Sequence, residues 1–234
     1  MPHFSYCAIS RYINPQRLTR RILRLLLRIA HYLVDTIHLH LHLAAPAQLA
    51  DASGTLHLDL FDLYTDSSHG NAEEGRGYGG FLLMTKPRPH PHPPTGAVGW
   101  KTLLPPEGYD STGAAELCTG SLALKWALAV RTLQHELDLG VSPALPTRMF
   151  TDSKTMIDGT DCSRLIRSSR WLAAKYAMLR WGLACGTITL DKVAAEFNVA
   201  DIMTKPITGR RFFALRARVL GLPDTPIGLE DVDP

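Results

Sequence analysis

The chain has 234 residues, 45% of them hydrophobic, and a formal net charge of +3, which suits one domain of ordinary size with a real core plus an appendage. Cys7, Cys118, Cys162 and Cys185 are scattered, with no Cys-x-x-Cys pair and no secretory leader ahead of them, so they point to neither a disulfide framework nor a zinc site. The chain reads as intracellular, in cytoplasm or nucleus. The longest apolar stretch, Ile22 to Val34, is interrupted by Arg24, Arg28 and His31, and no membrane span is expected.

Residues 1 to 34 contain no Asp or Glu and carry Arg11, Arg17, Arg20, Arg21, Arg24 and Arg28. From Pro15 to Val34 the apolar residues Leu18, Ile22, Leu25, Leu26, Ile29 and Leu33 recur at three and four, which predicts an amphipathic helix with an arginine face. A packed helix with a solvated basic face accounts for this pattern; a polyanion contact and a mitochondrial presequence are the alternatives. His38, His40 and His42 alternate with leucines, and in an extended strand they share one face. That face reads as exposed surface rather than as a metal site. His90 and His92 lie in the proline-rich run Lys86 to Pro94, which predicts loop or polyproline II.

Leu58 to Thr65 predicts a strand, and a polar, glycine-containing excursion then leads to a second at Tyr78 to Thr85. Ala97 to Thr102 is a third. A long helix is expected from Ser111 or Thr112 to about His135, with Leu117, Leu122, Leu124, Ala127, Leu128 and Leu133 on its inner face. Arg148 to Asp152 predicts a buried strand, Ser153 to Gly159 a short helix, Arg167 to Ala184 a longer one, Thr187 to Val193 a fifth strand, and Ala200 to Leu220 a final helix. Trp126, Trp171 and Trp181 fall on predicted helices, where core packing explains them. The expected fold is α/β, a five-stranded mixed sheet with helices on both faces, preceded by the N-terminal amphipathic helix. The expected organisation is a basic helical segment over 1-50, one catalytic domain over 51-223 and an acidic tail over 224-234.

Four acids stand in locally apolar settings: Asp66, Glu116, Asp152 and Asp201. Asp66 and Asp152 end strands, and the carboxyl ends of neighbouring strands are where α/β sheets bind ligands. Each alone is explained as a turn residue, a helix-end acid or a solvated charge. Together, with Thr-Asp-Ser at both strand ends, they predict a cluster whose mutual repulsion a divalent metal relieves. A pair of Mg²⁺ ions would suit phosphodiester hydrolysis there.

Thr65-Asp66-Ser67, Ala115-Glu116-Leu117, Phe150-Thr151-Asp152-Ser153 and Ala200-Asp201 resemble the Asp-Glu-Asp-Asp pattern of the ribonuclease H fold. More narrowly, the chain is similar to the ribonuclease H domain at the carboxyl end of copia-type (Pseudoviridae) retrotransposon polyproteins. Ser10 to Pro15 with Arg21 to Arg24 resembles the end of the reverse transcriptase and the helix after it. Gly99-Trp100-Lys101 resembles the family's Ser-Trp-Lys strand, and Ser111 to Glu116 its Ser-Thr-x-Glu-Ala-Glu. Asn198 to Pro206 resembles the Leu-Ala-Asp-Ile-Phe-Thr-Lys closing motif.

The resemblance implies endonucleolytic cleavage of the RNA strand of an RNA–DNA hybrid during reverse transcription. It further implies Mg²⁺ as cofactor, two ions with Mn²⁺ as a substitute, bound by Asp66, Glu116, Asp152 and Asp201. The implied partners are the hybrid and the reverse transcriptase portion of a longer polyprotein. The chain departs from the family at Ser68 and Ala114, where acids are usual, and at Arg170 to Lys175, which lacks the His and Asp of the Lys-His-Ile-Asp-x-Arg motif. A catalytically inactive, retroelement-derived fragment acting as a binding or structural module is therefore the alternative. An exonuclease fits less well because Ser68 replaces the second acid of Asp-x-Glu. A transposase or integrase has no use for Glu116 and Asp201. Lys154, Arg164, Arg167, Arg170, Lys205, Arg210 and Arg211 are the candidate hybrid contacts.

Overall fold

The computed structural model describes residues 19–41, 43, 61–69, 76–85, 96–104, 109–137, 145–161 and 170–222. Its five strands are β1 (Phe61–Ser67), β2 (Gly79–Thr85), β3 (Ala97–Leu103), β4 (Thr147–Thr151) and β5 (Ile188–Lys192). They form one sheet in the spatial order β3-β2-β1-β4-β5. β1, β2 and β3 are an antiparallel meander, while β4 pairs with both β1 and β5 in parallel. The helices are α1 (Arg20–Asp35), α2 (Thr112–Glu136), α3 (Lys154–Asp161), α4 (Arg170–Ala184), the single turn α5 (Asp201–Thr204) and α6 (Gly209–Leu220).

Strand alternation sorts the apolar side chains into two layers. Phe61 and Leu63 of β1 and Phe81 and Leu83 of β2 face Leu117 and Leu124 of α2 and Leu179 of α4. Tyr64, Leu82 and Met84 point the other way, to Ile207 and to Leu215 of α6. The sheet is thus buried on both sides, and this is the mixed sheet with helices on both faces that the sequence predicts.

Several expectations change. Along α2, Leu117, Leu124 and Ala127 are buried, but Leu122 and Leu133 are exposed. At 100° per residue they lie about 140° and 160° round the helix from Leu117, so an apolar residue type outweighed the helical period in placing them inward. The helix expected over 200–220 is broken into α5 and α6. Pro206 cannot donate a backbone N–H and forces the preceding Lys205 out of helical geometry, to φ −126 and ψ 146. Residues 36–38 form a turn and no strand follows through 41, so His38 and His40 do not share a strand face; His42 lies outside the described residues, as do His90 and His92. Trp171 and Trp181 are about half exposed and are not core residues, whereas Trp126 packs on Phe81.

α1 confirms the N-terminal helix from Arg20 onward; residues 15–18 lie outside the described chain. It meets α6 through Tyr32, whose ring stands edge-on to Phe212 and whose hydroxyl accepts a 2.9 Å hydrogen bond from Arg216. Leu23, Leu27, Leu33 and Val34 remain exposed on it. No helix among the described residues is long and apolar enough to cross a membrane.

Candidate metal centre

β1 and β4 are parallel neighbours, so their carboxyl ends open on one edge of the sheet. Asp66 is the penultimate residue of β1, and Asp152 follows the last residue of β4. Glu116 arrives from above the sheet on the first turns of α2. Ser111 fixes where that helix begins, because its hydroxyl accepts from the Ala114 N–H at 3.2 Å. One carboxylate oxygen from each of Asp66, Glu116 and Asp152 lies within 4.8 Å of the other two. Among the described residues no other group of three His, Cys, Asp or Glu side chains converges in this way.

The group is electrostatically incomplete. Asp66 has no exposed surface and Glu116 is 5% exposed. Glu116 Oε1 accepts from the Ser67 N–H at 3.3 Å, while its Oε2 is buried with no hydrogen-bond partner among the described residues. Burial, with Asp66 and Asp152 as like-charged neighbours, pushes the Glu116 carboxyl up to about 8. Burial also pushes Asp66 up to about 7, with Lys205 opposing the rise and Asp201 adding to it. A buried acceptor without a donor is costly. Three carboxylates that bring an oxygen each to one place, with one carboxylate left unsatisfied, fit a divalent metal of the Mg²⁺ or Mn²⁺ type.

Asp201, the fourth predicted ligand, stands outside this group. It is buried, and each of its oxygens is taken by a cation: Oδ1 by the Lys205 ammonium at 2.6 Å and Oδ2 by the Arg211 guanidinium. It connects to the triad through Lys205, whose ammonium also donates to Asp66 Oδ1 at 2.9 Å. The other Asp66 oxygen accepts from the Thr204 hydroxyl. Lys205 and Arg211, predicted as hybrid contacts, are therefore first of all the counterions of buried acids.

Two features that position the site escaped the sequence reading. Asn198 is fully buried; its amide nitrogen donates to Thr65 O at 3.0 Å and lies 3.4 Å from Asp152 Oδ1, while its Oδ1 accepts from the Ala200 N–H. It ties the ends of β1 and β4 to the turn that carries Asp201. Gly79 and Gly80 lie opposite Ser67 and Asp66 in the sheet. A Cβ on Gly79 would stand 2.3 Å from Thr119 Oγ1 of α2, and one on Gly80 would stand 2.6 Å from Met203 Cβ. Two adjacent glycines thus let α2 and α5 close in on opposite faces of the sheet beside the acids. The visible signal was Gly79-Gly80 opening an apolar strand, where glycine marks close backbone approach.

Ser68 is also buried. It bonds the Tyr78 backbone in both directions, with its N–H donating to Tyr78 O and its hydroxyl accepting from Tyr78 N–H. The cleft in front of the triad, about 490 Å³, is lined by Ser67, Ser68, His69, Thr112, Lys154 and Lys205 besides Glu116 and Asp152. Of the other predicted basic contacts, Arg210 is exposed on α6, and the side chains of Arg164, Arg167 and Arg170 lie outside the described residues.

The chain matches no protein-family model and no curated protein. Among solved structures it is similar to ribonuclease H1 from the archaeon Halobacterium salinarum, with 16% identity over 62% of this chain and 93% of that one and a TM-score of 0.44. It is also similar to LC11-RNase H1, solved in complex with an RNA/DNA hybrid, with 17% identity, 62% and 93% coverage and a TM-score of 0.41. The protease-reverse transcriptase of prototype foamy virus is similar over 76% of this chain and 22% of that one, with 13% identity and a TM-score of 0.36.

Proposed function

We propose that this chain is a divalent-metal-dependent endonuclease that hydrolyses the RNA strand of RNA–DNA hybrids, of the kind found at the carboxyl end of copia-type retrotransposon polyproteins. The observation that carries the reading is the convergence of Asp66, Glu116 and Asp152 with the buried Glu116 Oε2 left without a donor. Such a set binds a hard cation. When bound, that cation supplies electrostatic stabilisation of a phosphodiester under attack and lowers the pKa of a coordinated water.

The chain's own residues do the rest. Asp66, Glu116 and Asp152 would hold the ion at the sheet edge, and Asn198 fixes Asp152 in place. Lys154, exposed on the rim, would meet backbone phosphate, while the exposed Thr112 offers a hydroxyl to a polar substrate such as the 2′-OH face of an RNA strand. The retrotransposon assignment is supported by the closing motif from Asn198 to Pro206. Its Asn198, Asp201, Thr204 and Lys205 all make buried bonds around the site. On this reading the chain works beside a reverse transcriptase, inside the cell.

The test is cleavage of an end-labelled hybrid by the purified chain with Mg²⁺ or Mn²⁺. Internal RNA cuts are expected from the wild type, and none from Asp152→Asn. One observation favours the alternative of an inactive module: the Ser68 hydroxyl is consumed by the β1–β2 connection where the resembled family usually has a further acid. A wild type that cuts no hybrid with either ion decides for that module.

A further inference from the structure

Each oxygen of Asp201 and one oxygen of Asp66 are bonded to protein cations, and the same ammonium serves both acids. We propose that Lys205 is a resident cation that fills the place of a second divalent ion, so that this centre takes one metal ion, at Asp66, Glu116 and Asp152, and not two. The inference rests on the metal-dependent reading above and specifies its ion count.

Three observations lead there. The first is placement. Pro206 ends α5 after one turn and holds Lys205 extended, with its N–H still donating to Asp201 O at 2.9 Å. The side chain of Lys205 then reaches Asp201 Oδ1 at 2.6 Å and Asp66 Oδ1 at 2.9 Å, and lines the cleft with Glu116 and Asp152. A second ion bridging Asp66 and Asp201 would contend with the ammonium for these oxygens.

The second is charge. Four carboxylates against the ammonium of Lys205 and the guanidinium of Arg211 leave a formal −2. One divalent ion balances that, whereas two would leave an excess of positive charge among buried groups, which is costly. The third is saturation. Lys205 takes Asp201 Oδ1 and Arg211 takes Asp201 Oδ2, so Asp201, outside the triad, has no oxygen that lacks a donor, in contrast to Glu116 Oε2.

The experiment counts bound Mn²⁺ per full-length chain by electron paramagnetic resonance of free ion in equilibrium dialysis, for the wild type, Lys205→Met and Lys205→Arg. One ion is expected for the wild type and for Lys205→Arg, and two for Lys205→Met, whose melting temperature should also rise more steeply with Mn²⁺. Two ions on the wild type, or one on a folded Lys205→Met, overturns the inference and leaves the metal-dependent reading standing. No bound ion on the wild type defeats both. If Lys205→Met does not fold, the counts on the wild type and on Lys205→Arg still decide.

Discussion

The two flanks of the cleft bury carboxylates by opposite means. On the α5–α6 flank Asp201 is closed by Lys205 and Arg211, one to each oxygen. On the α2–β4 flank Glu116 keeps one oxygen without a donor and is pushed towards its neutral form. The far end of β1 follows the first pattern in its bonding, although burial still raises the carboxyl to about 6: Asp62, buried opposite Arg148 in the sheet, receives two guanidinium N–H bonds of 3.0 Å from it. The chain therefore has the means to neutralise buried acids wherever it places a cation, and withholds them at Glu116. That difference is what marks one flank as a ligand site and the other as its frame.

The contrast breaks most severely at Glu116. A carboxyl raised in the folded state stabilises below its unfolded value, and that stability is lost as pH rises through the folded value. For Glu116 the window runs from its ordinary 4.5 to about 8, and for Asp66 from 3.8 to about 7. Metal-free protein is thus expected to melt at lower temperature at pH 9 than at pH 5. Glu116→Gln should lessen that fall by removing the most strongly raised of the buried carboxyls, and Mn²⁺ should restore the pH 9 melting temperature of the wild type but not of the variant. Its affinity for Mn²⁺ should drop by at least the roughly 10–100-fold that loss of an outer partner costs a metal site. Parallel pH profiles for the two proteins in chelator would remove Glu116 from its role.

How far the sequence reaches is set by the same contrast. Asp66, Glu116 and Asp152 could be read from the chain because each is an acid at a strand end or on an apolar helix turn, and topology then brings strand ends together. The state of Asp201 could not. It depends on where Lys205 and Arg211 fall after the helix breaks at Pro206, and a continuous apolar pattern from 200 to 220 concealed that break although the proline stood in plain view. Asn198 was noticed only as part of a motif, since two of its three side-chain contacts, to Thr65 and Asp152, are to segments remote in sequence. Leu122 and Leu133 show the opposite error, in which hydrophobic residues were assigned inward without regard to helical period. Alternation of His38 and His40 with leucines was likewise too short a signal, and no strand forms among the described residues from 36 to 41.

A moderate effect is expected at the glycine pair that lets both flanks approach. The methyl of Gly80→Ala would meet Met203 Cβ and Thr204 Cγ2, the latter at 2.8 Å, and both belong to the packed turn that carries Thr204 onto Asp66. Overpacking of this kind costs about 1–3 kcal/mol. Denaturant unfolding of metal-free protein should show a loss in that range. A change below about 0.5 kcal/mol would mean that α5 yields easily and that its fit against β2 does not hold Thr204 in place.

The smallest effect separates the cleft's two lysines. Lys205 is committed to buried acids, whereas Lys154 is exposed at the start of α3 and lines the same cleft. If Lys154 serves a phosphate, Lys154→Ala should weaken hybrid binding several-fold at low salt. It should also reduce the slope of log affinity against log salt by about one, the signature of a single lost phosphate contact. Its melting temperature should stay that of the wild type, because a solvated side chain contributes little to stability. Binding titrations at three salt concentrations read both quantities. An unchanged slope would place the hybrid's backbone elsewhere on the rim, and would leave Thr112 as the exposed hydroxyl with which the cleft meets substrate.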